Sequence, residues 1–315
     1  MIKKRQEVTL LFGFAAIALV LFFESFAGQA SASSSEAIAE GLVLWKAIVL
    51  GVTEGLTEFL PISSTGHLLA AKELMHLDSS EISEQAIDSY IISIQIGAIL
   101  AIVVLYKNRI RQMYEGLRGQ SEVGKIVLRN LVVAFVPTAI IGLLLADYVK
   151  DQLYESQLVA YAWIVGGVCI LLAHEKKFLK RDGSSMESLS LQGAVVVGLV
   201  QALALWPGVS RSLVTIFALV ALGLSLAAAV EFSFLLGLVT LAAATFYELS
   251  QDGGRIIDLF GYWTPLVGLV AAFLSAVASV KWMVSWLENK SFSVFGFYRV
   301  AIGILAISLL STGVL

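Results

Sequence analysis

Glu54 and Glu58 stand four residues apart, so a helix carries both on one face. Two carboxylates that close in a low-dielectric setting do not both ionise comfortably. They need a shared proton, an arginine or a divalent cation, and Mg2+ or Ca2+ suits such oxygen ligands beside phosphate. Pro61 then breaks the apolar run, and Ser63, Ser64, Thr65, Gly66 and His67 follow. Hydroxyls there cap the next helix, while its free N–H groups and dipole make an anion site. Ser64 is a candidate nucleophile. His67, one turn further along the same face, is a candidate acid or base.

A second break has the same character. Pro207 and Gly208 interrupt an apolar run, followed by Ser210, Arg211, Ser212 and, one turn on, Thr215. The forked guanidinium of Arg211 matches phosphate geometry. Buried, it requires either the carboxylates or an anionic ligand as partner. Hydroxyls, acid/base groups, a cation site and an arginine at two helix N-termini suit phosphoryl transfer, where positioning and charge neutralisation supply most of the catalysis. His76 and His174 are assigned no role, and Glu231 reads as an interfacial residue or a partner for an arginine.

The elements that position these residues lie in a membrane. The 315 residues are 58% hydrophobic and 14% charged, so a polytopic helical membrane protein is expected. A net charge of −3 excludes a nucleic-acid binder, which needs a basic stripe. The single cysteine, Cys169, excludes a disulfide framework and is expected as a small buried core residue. Residues 1–32 read as a signal peptide or an N-terminal membrane segment: Lys3, Lys4 and Arg5 precede an apolar run, and Ala30-Ser31-Ala32 resembles a cleavage site. Residues 33–315 form one integral-membrane domain.

Leu42–Leu60 and His67–Met75 are each too short to span, since a span needs about 20 residues. They read as a re-entrant hairpin that returns to the outside. Spans over Tyr90–Tyr106, Ile126–Ala146 and Leu158–Ala173 follow. The basic clusters Lys107–Lys125 and Lys176–Arg181 then fall inside. Leu189–Trp206 and Leu213–Leu224 make a second hairpin, entering from the inside. Spans over Leu226–Leu249, Tyr262–Val284 and Phe295–Val314 complete the chain, with Asp78–Asp88 and Gln251–Gly261 both on the outside. The expected fold is thus all-α with two inverted repeats, about 42–173 and 189–315, each a re-entrant helical hairpin plus three transmembrane helices. Ile48–Glu54 aligns with Val195–Gln201, and Ser63-Ser64 with Ser210-Arg211 if Gly208 is an insertion. Such repeats place a site near the midplane, where half-helix N-termini converge.

At these residues the chain resembles the bacitracin-resistance undecaprenyl-pyrophosphate phosphatase family. The family's E-x-x-x-E running into S-S-T-G-H stands as Glu54, Glu58, Ser63, Ser64, Thr65, Gly66 and His67. Its P-G-x-S-R-S-G-x-T stands as Pro207, Gly208, Ser210, Arg211, Ser212 and Thr215, with Leu213 where glycine is usual. The resemblance covers residues about 42 to 315. It implies hydrolysis of undecaprenyl pyrophosphate to undecaprenyl phosphate and inorganic phosphate at the outer face of the bacterial plasma membrane, with a divalent cation. That reaction recycles the lipid carrier for peptidoglycan and underlies bacitracin resistance. It also implies catalytic roles for Ser64, His67, Glu58 and Arg211, with Glu54 and Glu58 on the metal. Ser63, Thr65, Gly66, Gly208, Ser210, Ser212 and Thr215 would line the substrate, and Ser64 and His67 both stand as candidate nucleophiles. The expected partners are the polyprenyl pyrophosphate substrate and membrane lipids, and a homodimer is compatible with the sequence.

Two other readings have sequence support. Acid-phosphatase-like lipid phosphatases share fragments of these motifs but need a histidine after Ser-Arg, and none follows His174. A polyprenyl-phosphate flippase or transporter would suit inverted repeats equally well.

Overall fold

Apolar runs interrupted at Pro61 and at Pro207-Gly208 yield short helices, and uninterrupted ones yield long helices. In the computed structural model, which describes residues 44–77, 84–179, 182–260 and 263–313, the chain is all-helical apart from one isolated bridge. Helix α1 (Leu44–Thr57) and α2 (Ser64–Leu74) flank the first break. Helix α3 (Glu84–Leu105), α4 (Lys107–Leu117), α5 (Glu122–Leu153) and α6 (Ser156–Glu175) follow. The second break lies between α7 (Leu191–Gln201), with its 3-10 turn Ala202–Leu205, and α8 (Arg211–Ala221). Helix α9 (Leu226–Phe260), α10 (Trp263–Asn289) and α11 (Ser293–Thr312) complete the order. All belong to one compact unit, Leu42–Leu315.

Six of these helices, α3, α5, α6, α9, α10 and α11, contain stretches long and apolar enough to cross a membrane. The protein is therefore a multi-pass membrane protein. The 14 residues of α1 and the 11 of each of α2, α7 and α8 are too few to do so. Each short pair closes at its base. Lys46 Nζ at the start of α1 donates to the Met75 carbonyl after α2 (2.9 Å). Before α7, the Ser184 N–H donates to the Gly223 carbonyl (2.9 Å) and the Ser184 carbonyl accepts from Ser225 N–H (3.0 Å). The bridge between Ser184 and Leu224 ties the two ends of the second pair.

Helix α1 packs along α10, and α7 packs along α5. Glycine permits both approaches. A Cβ on Gly51 would strike the main chain of α10 at Gly268, and one on Gly198 would strike α5 at Ala134. Helices α6 and α11 cross where Gly167 and Gly296 meet, each facing the other's carbonyl. Helices α3 and α9 also pack together. The core formed by these contacts holds Phe59, Leu60, Phe232, Phe234, Leu213 and Ile216, so it lies beside both breaks.

Two expectations change, and one segment whose structure the sequence leaves open gains an element. The basic segment after the first span is itself a helix, α4, with Met113 and Gly116 buried and Lys107 and Arg111 exposed. Its Arg109 bonds Glu231 (2.8 Å) and Glu187 (3.1 Å), which gives Glu231 an arginine partner away from the breaks. Helix α9 continues as far as Phe260, past the expected end of that span at Leu249. Cys169 is exposed, because the buried positions Trp163, Gly167 and Ile170 define the opposite face of α6. The N-terminal segment, Asp78–Ser83, Lys180 and Arg181 lie outside the described residues.

Candidate functional site

Each break ends in the same unusual turn. Ser63 and Ser210, the residues before α2 and α8, have φ 72 and φ 76, a region L-residues rarely occupy. Pro61 forces the first turn, where the Ile62 N–H bonds the Leu60 carbonyl (2.8 Å). At the second, Gly208 has φ 91, and its bare Cα passes against α6, where a Cβ would meet the Val159 carbonyl at 2.7 Å. Ser210 Oγ accepts from the Leu213 N–H (3.4 Å), capping α8. Gly66 lies against the Trp163 ring of α6, leaving no room for a side chain.

Glu58 joins the two breaks. Its Oε1 accepts from Arg211 Nη2 (2.8 Å), and its Oε2 accepts the hydroxyl of Ser64. Both partners of the ion pair are largely buried. Arg211 also donates to the Ser233 carbonyl (3.1 Å), lies over the Phe59 ring (5.8 Å) and keeps a buried Nε without a partner. Ser212 Oγ donates to the Leu60 carbonyl of the first break (2.8 Å) and meets Ser210 Oγ (3.1 Å). Thr215 Oγ1 donates to the Arg211 carbonyl (2.8 Å) and meets Ser233 Oγ (2.6 Å). Thr65, half-buried, lies in the first turn of α2.

Glu54 is fully buried, and neither carboxylate oxygen has a hydrogen-bond partner. An unsatisfied buried carboxylate is costly. Glu54 therefore offers two free oxygens one helical turn from Glu58, which fits a hard cation completed by substrate oxygens. Among the described residues no group of three or more His, Cys, Asp or Glu converges as a metal cage.

Both ring nitrogens of His67 are engaged by groups other than Ser64. Its Nδ1 contacts the Ser63 carbonyl (2.6 Å) and its Nε2 the Tyr298 hydroxyl (2.8 Å). A carbonyl only accepts, so Nδ1 carries the hydrogen, and in the neutral ring Nε2 accepts from Tyr298. The ring also stacks on Tyr298, with centroids 5.7 Å apart. No lone pair is then free for the Ser64 proton, and the carboxylate that accepts that hydroxyl is Glu58.

Two residues of α11 were not singled out in the sequence: Tyr298, which engages His67, and Arg299. Arg299 is completely buried between the two breaks. A signal was present, since an arginine inside the apolar run Phe295–Val314 is itself a marker of function.

The fold and site define a class: a polytopic helical membrane protein in which two interrupted helix pairs bring carboxylates, hydroxyls and an arginine together in the protein interior. Residues 47–305 match the family model described as bacitracin resistance protein BacA. The undecaprenyl-diphosphatase of Dechloromonas aromatica is 40% identical over 270 residues, covering 85% of this chain and 94% of that protein. The undecaprenyl-diphosphatase of Aquifex aeolicus is 38% identical over 263 residues, covering 82% of this chain and 96% of that one. This chain belongs to the bacitracin resistance protein BacA family.

Proposed function

We propose that this protein is a membrane phosphatase that hydrolyses undecaprenyl pyrophosphate to undecaprenyl phosphate and inorganic phosphate. It thereby recycles the lipid carrier for peptidoglycan synthesis and confers bacitracin resistance. The observation that carries this reading is the Ser64 hydroxyl held on Glu58, whose other oxygen pairs with Arg211. A nucleophile, its base and a phosphate-binding cation thus converge at the N-termini of α2 and α8.

In the proposed reaction Ser64 Oγ attacks the terminal phosphorus and Glu58 takes its proton. The bond from that phosphorus to the bridging oxygen breaks, and undecaprenyl phosphate leaves with the electron pair. Glu58 hands its proton to that leaving phosphate and is a carboxylate again. It then takes a proton from water as the water attacks the phosphoserine, and returns it to Ser64 Oγ as the Oγ–phosphorus bond breaks and inorganic phosphate leaves. Arg211 holds the transferred phosphoryl oxygens, and charge it already places at the site needs no reorganisation. Glu54, with Glu58, would hold Mg2+ or Ca2+, which when bound neutralises diphosphate oxygens.

The fold reading extends in the same way. Two inverted repeats, each a re-entrant hairpin with three spans, are supported by the matched contacts of α1 with α10 and α7 with α5. The equivalent turns at Ser63 and Ser210 and the closed base of each pair support it further. The site would face the outer side of the bacterial plasma membrane. Phosphate release from undecaprenyl pyrophosphate by purified protein in detergent tests the function directly. Substrate consumption absent at every divalent-ion concentration would overturn it.

A further inference from the structure

Arg299 carries a permanent charge with no solvent exposure, and among the described residues it forms no ion pair. Its four hydrogen bonds all end on main-chain carbonyls. Nη1 reaches Pro61 (3.2 Å), and Nη2 reaches Gly208 (2.8 Å) and Ala162 (2.9 Å). Nε reaches Trp163 (3.3 Å). Pro61 stands two residues before Ser63, and Gly208 two residues before Ser210. One guanidinium therefore grips the same carbonyl of both broken-helix turns. Gly166 leaves the lane on α6 through which it passes, since any side chain there would collide with the guanidinium.

Helix breaks free carbonyls that a continuous helix would satisfy, and at membrane depth water is not there to replace the bond. Burying an unpaired arginine is expensive unless its donors are satisfied. The fork meets both needs at once. It also has a consequence for chemistry, because Glu58 and Ser64 belong to one break and Arg211 to the other. Their meeting depends on how the two turns sit relative to each other. We propose that Arg299 is a positioning residue: it clamps the two turns in register so that Ser64, Glu58 and Arg211 form one site. The neighbouring Tyr298, through His67 and the Ser63 carbonyl, holds the first turn from the same helix.

This rests on the phosphatase reading for its kinetic arm and on geometry alone for its second arm. Arg299→Gln is expected to lower kcat about 100-fold, with KM changed no more than about threefold, as misplacement of reacting groups predicts. Arg299→Lys, which keeps the charge but cannot span four carbonyls, should recover part of that loss. It also serves as the test variant if the glutamine protein does not fold. In a double-mutant cycle, Arg211→Lys should cost less in the Arg299→Gln background than in the parent, because its partner is already displaced. Penalties that simply multiply, or an Arg299→Gln enzyme within threefold of the parent, would overturn the clamp. The second arm places spin labels at Leu56→Cys and Leu203→Cys, both exposed, in a Cys169→Ala background. Arg299→Gln should broaden or shift the distance distribution, and an unchanged distribution overturns the proposal even if the parent hydrolyses no diphosphate lipid. In that last case it is the phosphatase reading that fails.

Discussion

Ser63 and Ser210 share one backbone conformation, φ 72 with ψ 100 and φ 76 with ψ 110, each immediately before a helix too short to cross a membrane. Strain of this kind costs about 1–3 kcal/mol and persists only where the surroundings impose it. Here the surroundings include the clamp on the preceding carbonyls. The Ser63 side chain makes no capping bond, so its type should matter less than its backbone freedom. Ser63→Gly should hold or raise the thermal midpoint, whereas Ser63→Val should lose about 1–3 kcal/mol of stability. Thermal unfolding in detergent checks both.

The contact between Ser64 and Glu58 makes a sharper demand. Glu58→Gln should lower kcat by about 100- to 10,000-fold, the usual span for loss of a general base. Ser64→Ala should abolish turnover, by about 1,000-fold or more, yet leave binding of the diphosphate lipid largely intact. A Ser64→Ala enzyme with substantial turnover would point to water as the attacking group.

For Glu54 the informative readout is the ion. Glu54→Gln should raise the divalent-ion concentration needed for half-maximal activity by about tenfold or more, since a neutral amide is a poorer ligand for hard cations. Titration with Mg2+ and with Ca2+ measures it, and an unaltered requirement would return Glu54 to a purely electrostatic role.

Re-entrance has its own test. Single cysteines at His76 and Glu155 should react with an impermeant reagent from one side of oriented vesicles. Cysteines at Gln120, Ser190 and Leu222, all exposed, should react from the other. His76 and Glu155 reacting from opposite sides would end the model of a hairpin that turns back.

Much of this architecture is visible in the chain itself. Long apolar runs announce the six membrane-crossing helices. Proline followed by a run of glycine and hydroxyl residues announces the two interruptions, whereas a lone proline, Pro137, is carried inside the continuous helix α5. What local pattern does not reveal is who meets whom across the fold. Helix spacing puts His67 on the face of Ser64, but its ring is taken by a tyrosine 231 residues away and by the Ser63 carbonyl. Glu58 in turn meets an arginine 153 residues distant. Helix α4 was hidden by its charge, because a basic segment between spans reads equally well as a loop. Cys169 shows the same limit in miniature: hydropathy tells that α6 is apolar but not which side of it turns inward.

The span of Arg299 along the chain bears on how the protein is made. It reaches back 238 residues to Pro61, from the last helix to the first interruption. In order of synthesis, therefore, Glu54, Glu58, Ser64 and Arg211 all precede the residue that joins their two turns. Without α11 the two turns would be joined, among the described residues, only by the Glu58–Arg211 pair and the Ser212–Leu60 bond. On the clamp reading, the order of synthesis makes both turns long before the side chain that joins them.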